Sequence, residues 1–299
     1  MQNKERNFNQ ELFDKNKREE QKTKKDLLQE SLRYIDVGNN PPHLISIVGP
    51  NRSGTTAFAE IFARLGIPNY LQPIKSIRRA IQENDKVPYF QLYQNIPLAV
   101  HKETLGSSEE SEFFDPIETL LQAGYPAEKI HLIAMLRDPA MTLTSWNRIY
   151  QDKVNVPGLM QAIQQVVEIA DQAESRGIQT TRYVHEMARD NDPETIAAQL
   201  FQRVGIRLND SSTIKQTVNW TRGPRFGSAE STGIFYDQPP EIFVEGVKTR
   251  PGYQYDRNQQ VNITPAQKVF LLQNGAYEVY SKFAQRAIVD TGLQINNPG

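Results

Sequence analysis

Cysteine is missing from all 299 residues, which removes disulfide frameworks, thiolate nucleophiles and cysteine-ligated zinc or iron–sulfur centres. Net charge is nearly missing too. With 34 Lys and Arg against 35 Asp and Glu there is no global basic field to draw in nucleic acid, so any anion site must be local. No run approaches 18 apolar residues, and the opening MQNKERNFNQ has no apolar core of a signal sequence. The expectation is a cytoplasmic chain with neither a nucleic acid nor a membrane as partner. The four histidines, at 43, 101, 131 and 185, show no ligand spacing, and Arg189 stands where His185-Glu186 would need a second histidine to bind zinc, so no metal is expected.

What the sequence does contain is ordered along the chain. Residues 1 to 30 carry 15 charged side chains of both signs, too polar to build a core, and Leu27, Leu28, Leu32 and Ile35 follow at helical spacing. Residues 1–40 are therefore expected to be a charged helical extension, closed by the turn Asn39-Asn40-Pro41-Pro42, with one domain over 41–299. Within it, apolar runs at His43 to Val48, Ile96 to Val100, Ile130 to Leu136 and Ile178 to Val184 alternate with helical stretches. Those stretches run from Thr55 to Leu65, from Gly158 to Ser175 and from Pro193 to Val204, with a last helix from Thr264 to about Ala287. This alternation predicts an α/β three-layer sandwich: a mostly parallel central sheet with helices on both faces and ligands at the carboxyl ends of the strands. Residues 219–262, rich in Gly, Pro, Arg and aromatics, read as an acceptor-site or lid loop.

The most informative stretch is Ile45 to Thr56, ISIVGPNRSGTT, an apolar strand entering a glycine turn and a helix, the context of a P-loop-type phosphate loop. Gly49 and Gly54 have the required separation, but Thr55 takes the position of the lysine that reaches the β- and γ-phosphates of an NTP. The anion cradle survives: helix-end amides, the hydroxyls of Ser53, Thr55 and Thr56, and the planar fork of Arg52. A helix end contributes roughly 0.3–1 kcal/mol, up to ~2 when partly buried, so Arg52 and the hydroxyls must supply the rest.

Arg-Ser-Gly-Thr-Thr after a strand resembles the 5′-phosphosulfate loop of the sulfotransferases that use 3′-phosphoadenosine 5′-phosphosulfate (PAPS). A second stretch, Ile130 to Tyr150, IHLIAMLRDPAMTLTSWNRIY, resembles the 3′-phosphate motif of the same family, in which an arginine at a strand end and a serine eight residues later clamp the phosphate; here these are Arg137 and Ser145. Thr181 to Ile206 is similar to a scaffold segment of that family. The resemblance implies a PAPS-dependent enzyme that needs no metal and releases 3′-phosphoadenosine 5′-phosphate (PAP). It also implies donor-binding residues Asn51, Arg52, Ser53, Gly54, Thr55, Thr56, Arg137 and Ser145, with Arg222-Gly223 as the late closing element and Arg225 and Lys248 behind it.

The family places its base and a lysine just after the second core strand, where this chain reads Ala99-Val100-His101-Lys102-Glu103-Thr104-Leu105. The implied catalytic set is Glu103 or His101 as general base, favouring Glu103, together with Lys102 and Arg52. In a strand His101 and Glu103 share one side and Lys102 takes the other. The family's cytosolic members have a histidine two after their lysine, a position held here by Thr104. Beyond it, GSSEESEFFD sets Glu109, Glu110, Glu112 and Asp115 together, which would suit a cationic small-molecule acceptor. The expected reaction is in-line sulfuryl transfer to a hydroxyl or amine. The alternatives are a P-loop kinase or other nucleotide-binding protein, and a non-catalytic nucleotide-binding protein whose charged helix recruits a partner.

Overall fold

The computed structural model describes residues 26–106, 112–208, 210–220 and 252–296. In chain order the elements are β1 (Ile35–Asp36), β2 (His43–Pro50), α1 (Thr55–Ala63), β3 (Asn69–Leu71), α2 (Pro73–Glu83), β4 (Phe90–Gln91), β5 (Leu98–Leu105) and α3 (Pro116–Gln122). There follow β6 (Ile130–Leu136), α4 (Pro139–Tyr150), α5 (Val156–Ser175), β7 (Gln179–Val184), α6 (Met187–Asp190), α7 (Pro193–Arg203), α8 (Ser211–Val218), α9 (Pro265–Gln273) and α10 (Ala276–Thr291).

Five strands form one sheet in the order β3-β5-β2-β6-β7, and every neighbouring pair is parallel. The α/β class with a parallel central sheet is thus the one the sequence predicts. In β2 every residue after His43 is buried, inward and outward positions alike, so helices must cover both faces of the sheet. The chain begins the sheet at its middle strand, passes to β3 and β5 on one side, then crosses to β6 and β7 on the other. The carboxyl end of β2 is therefore the topological switch point, where the loops after neighbouring strands diverge and leave a crevice. A separate two-stranded parallel ladder pairs β1 with β4, and Ile35 and Val37 join the core.

Several elements differ from the sequence expectation. Strand β5 runs to Leu105 rather than ending at Val100, so His101 through Thr104 lie inside the sheet. The last helix is two, because Gly275 adopts φ 68°, a left-handed conformation that stops α9 and restarts the chain as α10. Helix α2 and strand β3 were not foreseen at all; α2 has Pro73 in its first turn and buries Ile74, Ile77 and Ala80.

The far edge of the sheet is tied down electrostatically. Arg182 of β7, 1% exposed, bonds Glu174 at 2.5 Å and Asp171 at 2.9 Å on α5, and Asp290 at 3.3 Å on α10. Substituting Arg182→Leu is expected to cost about 2–3 kcal/mol in urea unfolding, less than the loss of one partner of a fully buried pair because the acidic partners reach solvent. A midpoint unchanged from wild type would show that this network contributes nothing to stability.

Candidate functional site

The phosphate loop is shaped by two glycines with different physical reasons. A Cβ on Gly49 would lie 2.6 Å from Ser53 Oγ and 2.7 Å from the Met135 carbonyl oxygen, so only hydrogen fits between β2, the returning loop and β6. Gly54 has φ 94°, and a Cβ there would lie 2.7 Å from His185 Nδ1. Arg52 takes φ 71°, uncommon for a residue with a side chain, and starts the turn that throws the chain into α1. The turn is pinned from outside: the Asn51 amide donates to Leu105 O at 2.8 Å, Trp146 Nε1 donates to Asn51 O at 2.7 Å, and the Asn51 side chain bonds Tyr150. Helix α1 has no side-chain cap at Gly54, which leaves its first amides directed at whatever occupies the loop.

That occupant would enter a cavity on which both sequence motifs converge. Its walls are Asn51, Arg52, Gly54, Thr55 and Thr56 from the loop, Lys102 and Thr104 from β5, and Arg137, Ser145 and Arg148 from β6 and α4. His185, Trp220, Tyr253 and Gln259 complete it from later in the chain. The two arginines are neighbours on one wall: Arg52 Nε donates to Ser145 Oγ at 3.1 Å, and Arg137 Nη1 lies 3.4 Å from the carbonyl oxygen of Arg52. Arg137 Nη2 also donates to Gln259 Oε1 at 2.8 Å. Ser53 differs from expectation, because its buried hydroxyl turns toward Gly49 and does not line the cavity. Arg222, Gly223, Arg225 and Lys248 lie outside the described residues.

Strand β5 sorts its polar residues by parity, as predicted, but the side facing the cavity is the other one. Lys102 and Thr104 line it; His101 and Glu103 point away and are fully buried. Glu103 Oε1 accepts from the Ile74 amide at 2.8 Å and the Lys75 amide at 3.5 Å, so it caps α2, and His101 lies between Glu103 at 3.3 Å and Ser46 at 3.0 Å. A carboxylate that satisfies the orphan amides of a helix is a structural group. Neither Glu103 nor His101 is placed to take a proton from a molecule in the cavity, and the expected base assignment is corrected accordingly.

Lys102, by contrast, is a cation at the cavity wall. Burial pushes its ammonium down to about 7, the charges of Lys75 and Arg52 push the same way, and Glu103 opposes them. Beneath it Lys75, also lowered by burial, donates to Thr104 O at 3.1 Å and pairs with Glu112 at 2.7 Å. Glu112 also pairs with Arg79 and is fully buried. Asp115 accepts from the Ile117 amide at 2.8 Å as the cap of α3. The acidic run that was expected to meet a cationic acceptor is therefore split: Glu112 and Asp115 are structural, and Glu109 and Glu110 lie outside the described residues.

The sequence reading does not name Thr104, Arg148 or His185 as wall residues, whereas Trp220, Tyr253 and Gln259 fall inside 219–262, the stretch read as an acceptor-site or lid loop. Two of the first three had a signal: Thr104 follows from strand parity with Lys102, and His185 stands directly after the strand that ends at Val184, on the edge where ligands collect. Among the described residues no group of three or more His, Asp or Glu is set to hold a metal ion, and no helix is long and apolar enough to cross a membrane.

No family model and no curated protein matches the chain. Among solved structures it is similar in fold to mouse sulfotransferase SULT7A1 complexed with PAP, at 15% identity over 86% of this chain and 94% of the other, with a TM-score of 0.46. It is also similar to retinol dehydratase in a complex with retinol and PAP, at 11% identity over 91% and 88%, with a TM-score of 0.39. What the cavity can bind is therefore decided by its own residues.

Capping and cavity roles on β5 separate under mutation. Glu103→Ala, which strips a buried acceptor from α2, is expected to lower stability by about 1–3 kcal/mol. Lys102→Met, which replaces a desolvated cation facing two others, is expected to stay within about 1 kcal/mol of wild type. Chemical unfolding of both variants checks this; equal destabilisation would deny the division of labour.

Proposed function

We propose that this protein transfers a sulfuryl group from PAPS to a hydroxyl or amine of a small-molecule acceptor. The observation that carries the proposal is the single cavity walled both by a lysine-less phosphate loop and by Arg137 with Ser145, which suits one ligand with two separate anionic ends. A nucleoside triphosphate is a poorer match, because Thr55 leaves the β- and γ-phosphates without the usual lysine.

The donor, when bound, supplies an activated sulfuryl group. The chain's part is electrostatic and geometric. The α1 amides with Thr55 and Thr56 take the 5′ end, Arg137 and Ser145 take the 3′-phosphate, and Arg52 and Lys102 neutralise the oxygens of the 5′-phosphate and of the group transferred from it. Ser145 Oγ accepts from Arg52 and keeps its own hydroxyl proton to donate to the 3′-phosphate, so one serine can link the two anion sites. Glu112, already paired with Lys75 and Arg79, gives the acceptor site no preference for cations.

Thermal unfolding with PAP, set beside ATP with magnesium, tests the reading. A ligand at 100 times its Kd adds about 2.7 kcal/mol, a shift of several degrees for a chain of this size. Stabilisation by PAP and not by ATP is expected, followed by transfer of labelled sulfate from PAPS to members of a panel of alcohols, phenols and amines. Stabilisation by ATP alone would make the protein a kinase-like nucleotide binder; stabilisation by PAP without transfer to any acceptor would leave it a binding protein.

The same cavity predicts a pH dependence. Below pH 7 Lys102 carries its charge before the ligand arrives; above it, binding an anion must first recruit a proton. PAP affinity is therefore expected to fall up to about tenfold per pH unit above 7. Lys102→Met should flatten that slope between pH 7 and 9 in calorimetric titrations. A slope that persists in the variant assigns the dependence to another group.

A further inference from the structure

The turn that presents Arg137 is held by a carboxylate the proposed reaction does not use. Glu186 follows β7 and is 4% exposed. Its Oε2 accepts from the Asp138 amide at 3.2 Å and from the Tyr280 hydroxyl at 2.7 Å. Tyr280 comes from α10 and is itself 1% exposed. Asp138 in turn caps α4, accepting from the Met141 amide at 2.8 Å. The peptide between the last residue of β6 and the first of α4 is thus bolted from two sides; Arg137 lies within it, and Ser145 lies in the second turn of α4, the helix that Asp138 caps. Burial pushes the Glu186 carboxyl up, and the charge of Asp138 adds to this; the Tyr280 hydrogen bond and the Arg137 guanidinium oppose them without cancelling them. A buried carboxyl group beside a second one costs stability unless its hydrogen bonds and a nearby cation return something for it.

We infer that Glu186 is a positioning residue for the second anion site, setting the angle at which Arg137 and Ser145 meet the ligand's 3′-phosphate. The inference rests on the proposed reading of Arg137. Its consequence is selective. Loosening the turn should weaken a nucleotide that uses both anion sites and spare one that uses only the loop around Arg52.

The test is calorimetric titration of PAP and of adenosine 5′-monophosphate, which lacks the 3′-phosphate, into wild type, Glu186→Met, Glu186→Gln and Tyr280→Phe. Glu186→Met is expected to lose about tenfold in PAP affinity with less than a twofold change for the monophosphate. Glu186→Gln keeps an acceptor oxygen for both donors and is expected to recover to within about threefold of wild type. Tyr280→Phe, which removes one hydrogen bond and little volume, reports the same preference at smaller amplitude if Glu186→Met does not fold. Parallel loss for both nucleotides, or a PAP preference that survives in Glu186→Met and in Tyr280→Phe, overturns the inference while leaving the nucleotide reading intact. A wild type that binds the two nucleotides equally overturns the reading of Arg137 and the inference with it.

Discussion

Helices α1, α2 and α4 begin near the carboxyl ends of the strands, and of these α1 is the one without a carboxylate cap. Glu103 accepts from the first amides of α2, whereas α1 begins at a glycine that offers no side chain. Unpaired helix-end amides are costly when shielded from water, so the open end of α1 is tolerable only because it faces a cavity. The rest of the site follows from that opening. Its place at the carboxyl end of β2 comes from the sheet order, its tight radius from the missing side chains of Gly49 and Gly54, and its charge from the arginines and the lysine around it.

Charge is sorted by depth. The chain has a net charge of only -1, yet Arg52, Lys102, Arg137 and Arg148 all reach one cavity wall. The carboxylates that balance this set sit behind it: Glu103 raises the ammonium of Lys102 from within the sheet, and Glu112 holds Lys75 and Arg79. Partial neutralisation from behind lets several cations share a small volume, while the cavity face keeps its positive potential. A formal charge summed over the sequence cannot register this segregation.

How much was readable in advance depends on the span of chain that encodes each feature. The phosphate loop and the Arg137 turn were legible because each is a strand, a turn and a helix in about 12 to 20 consecutive residues, and local spacing dictates local geometry. On β5 the parity of His101, Lys102 and Glu103 was legible too, but parity does not say which side meets the ligand. That was decided by α2, whose Ile74 amide claims Glu103 across 29 residues. Glu112 likewise meets Arg79 across 33 residues, and Gln259 meets Arg137 across 122. Such partners are chosen by packing, and no spacing rule reports them.

The same division explains why Glu186 looked like a failed metal motif rather than a structural anchor. Its neighbours in sequence, His185 and Arg189, carry no information about Tyr280, which arrives 94 residues later on α10. Once α10 is packed against β7, the carboxylate finds a hydroxyl on one side and the Asp138 amide on the other, and the arginine just before that amide is held between them and the cavity. The arrangement around Lys102 is parallel: a cation at the wall, a carboxylate behind it, and a helix terminus or turn that the carboxylate fixes. Both halves of the cavity therefore obtain their positive face by one physical means. An acidic residue bonds backbone amides that would otherwise be unsatisfied, and in doing so it makes a cation tolerable at the edge of the core.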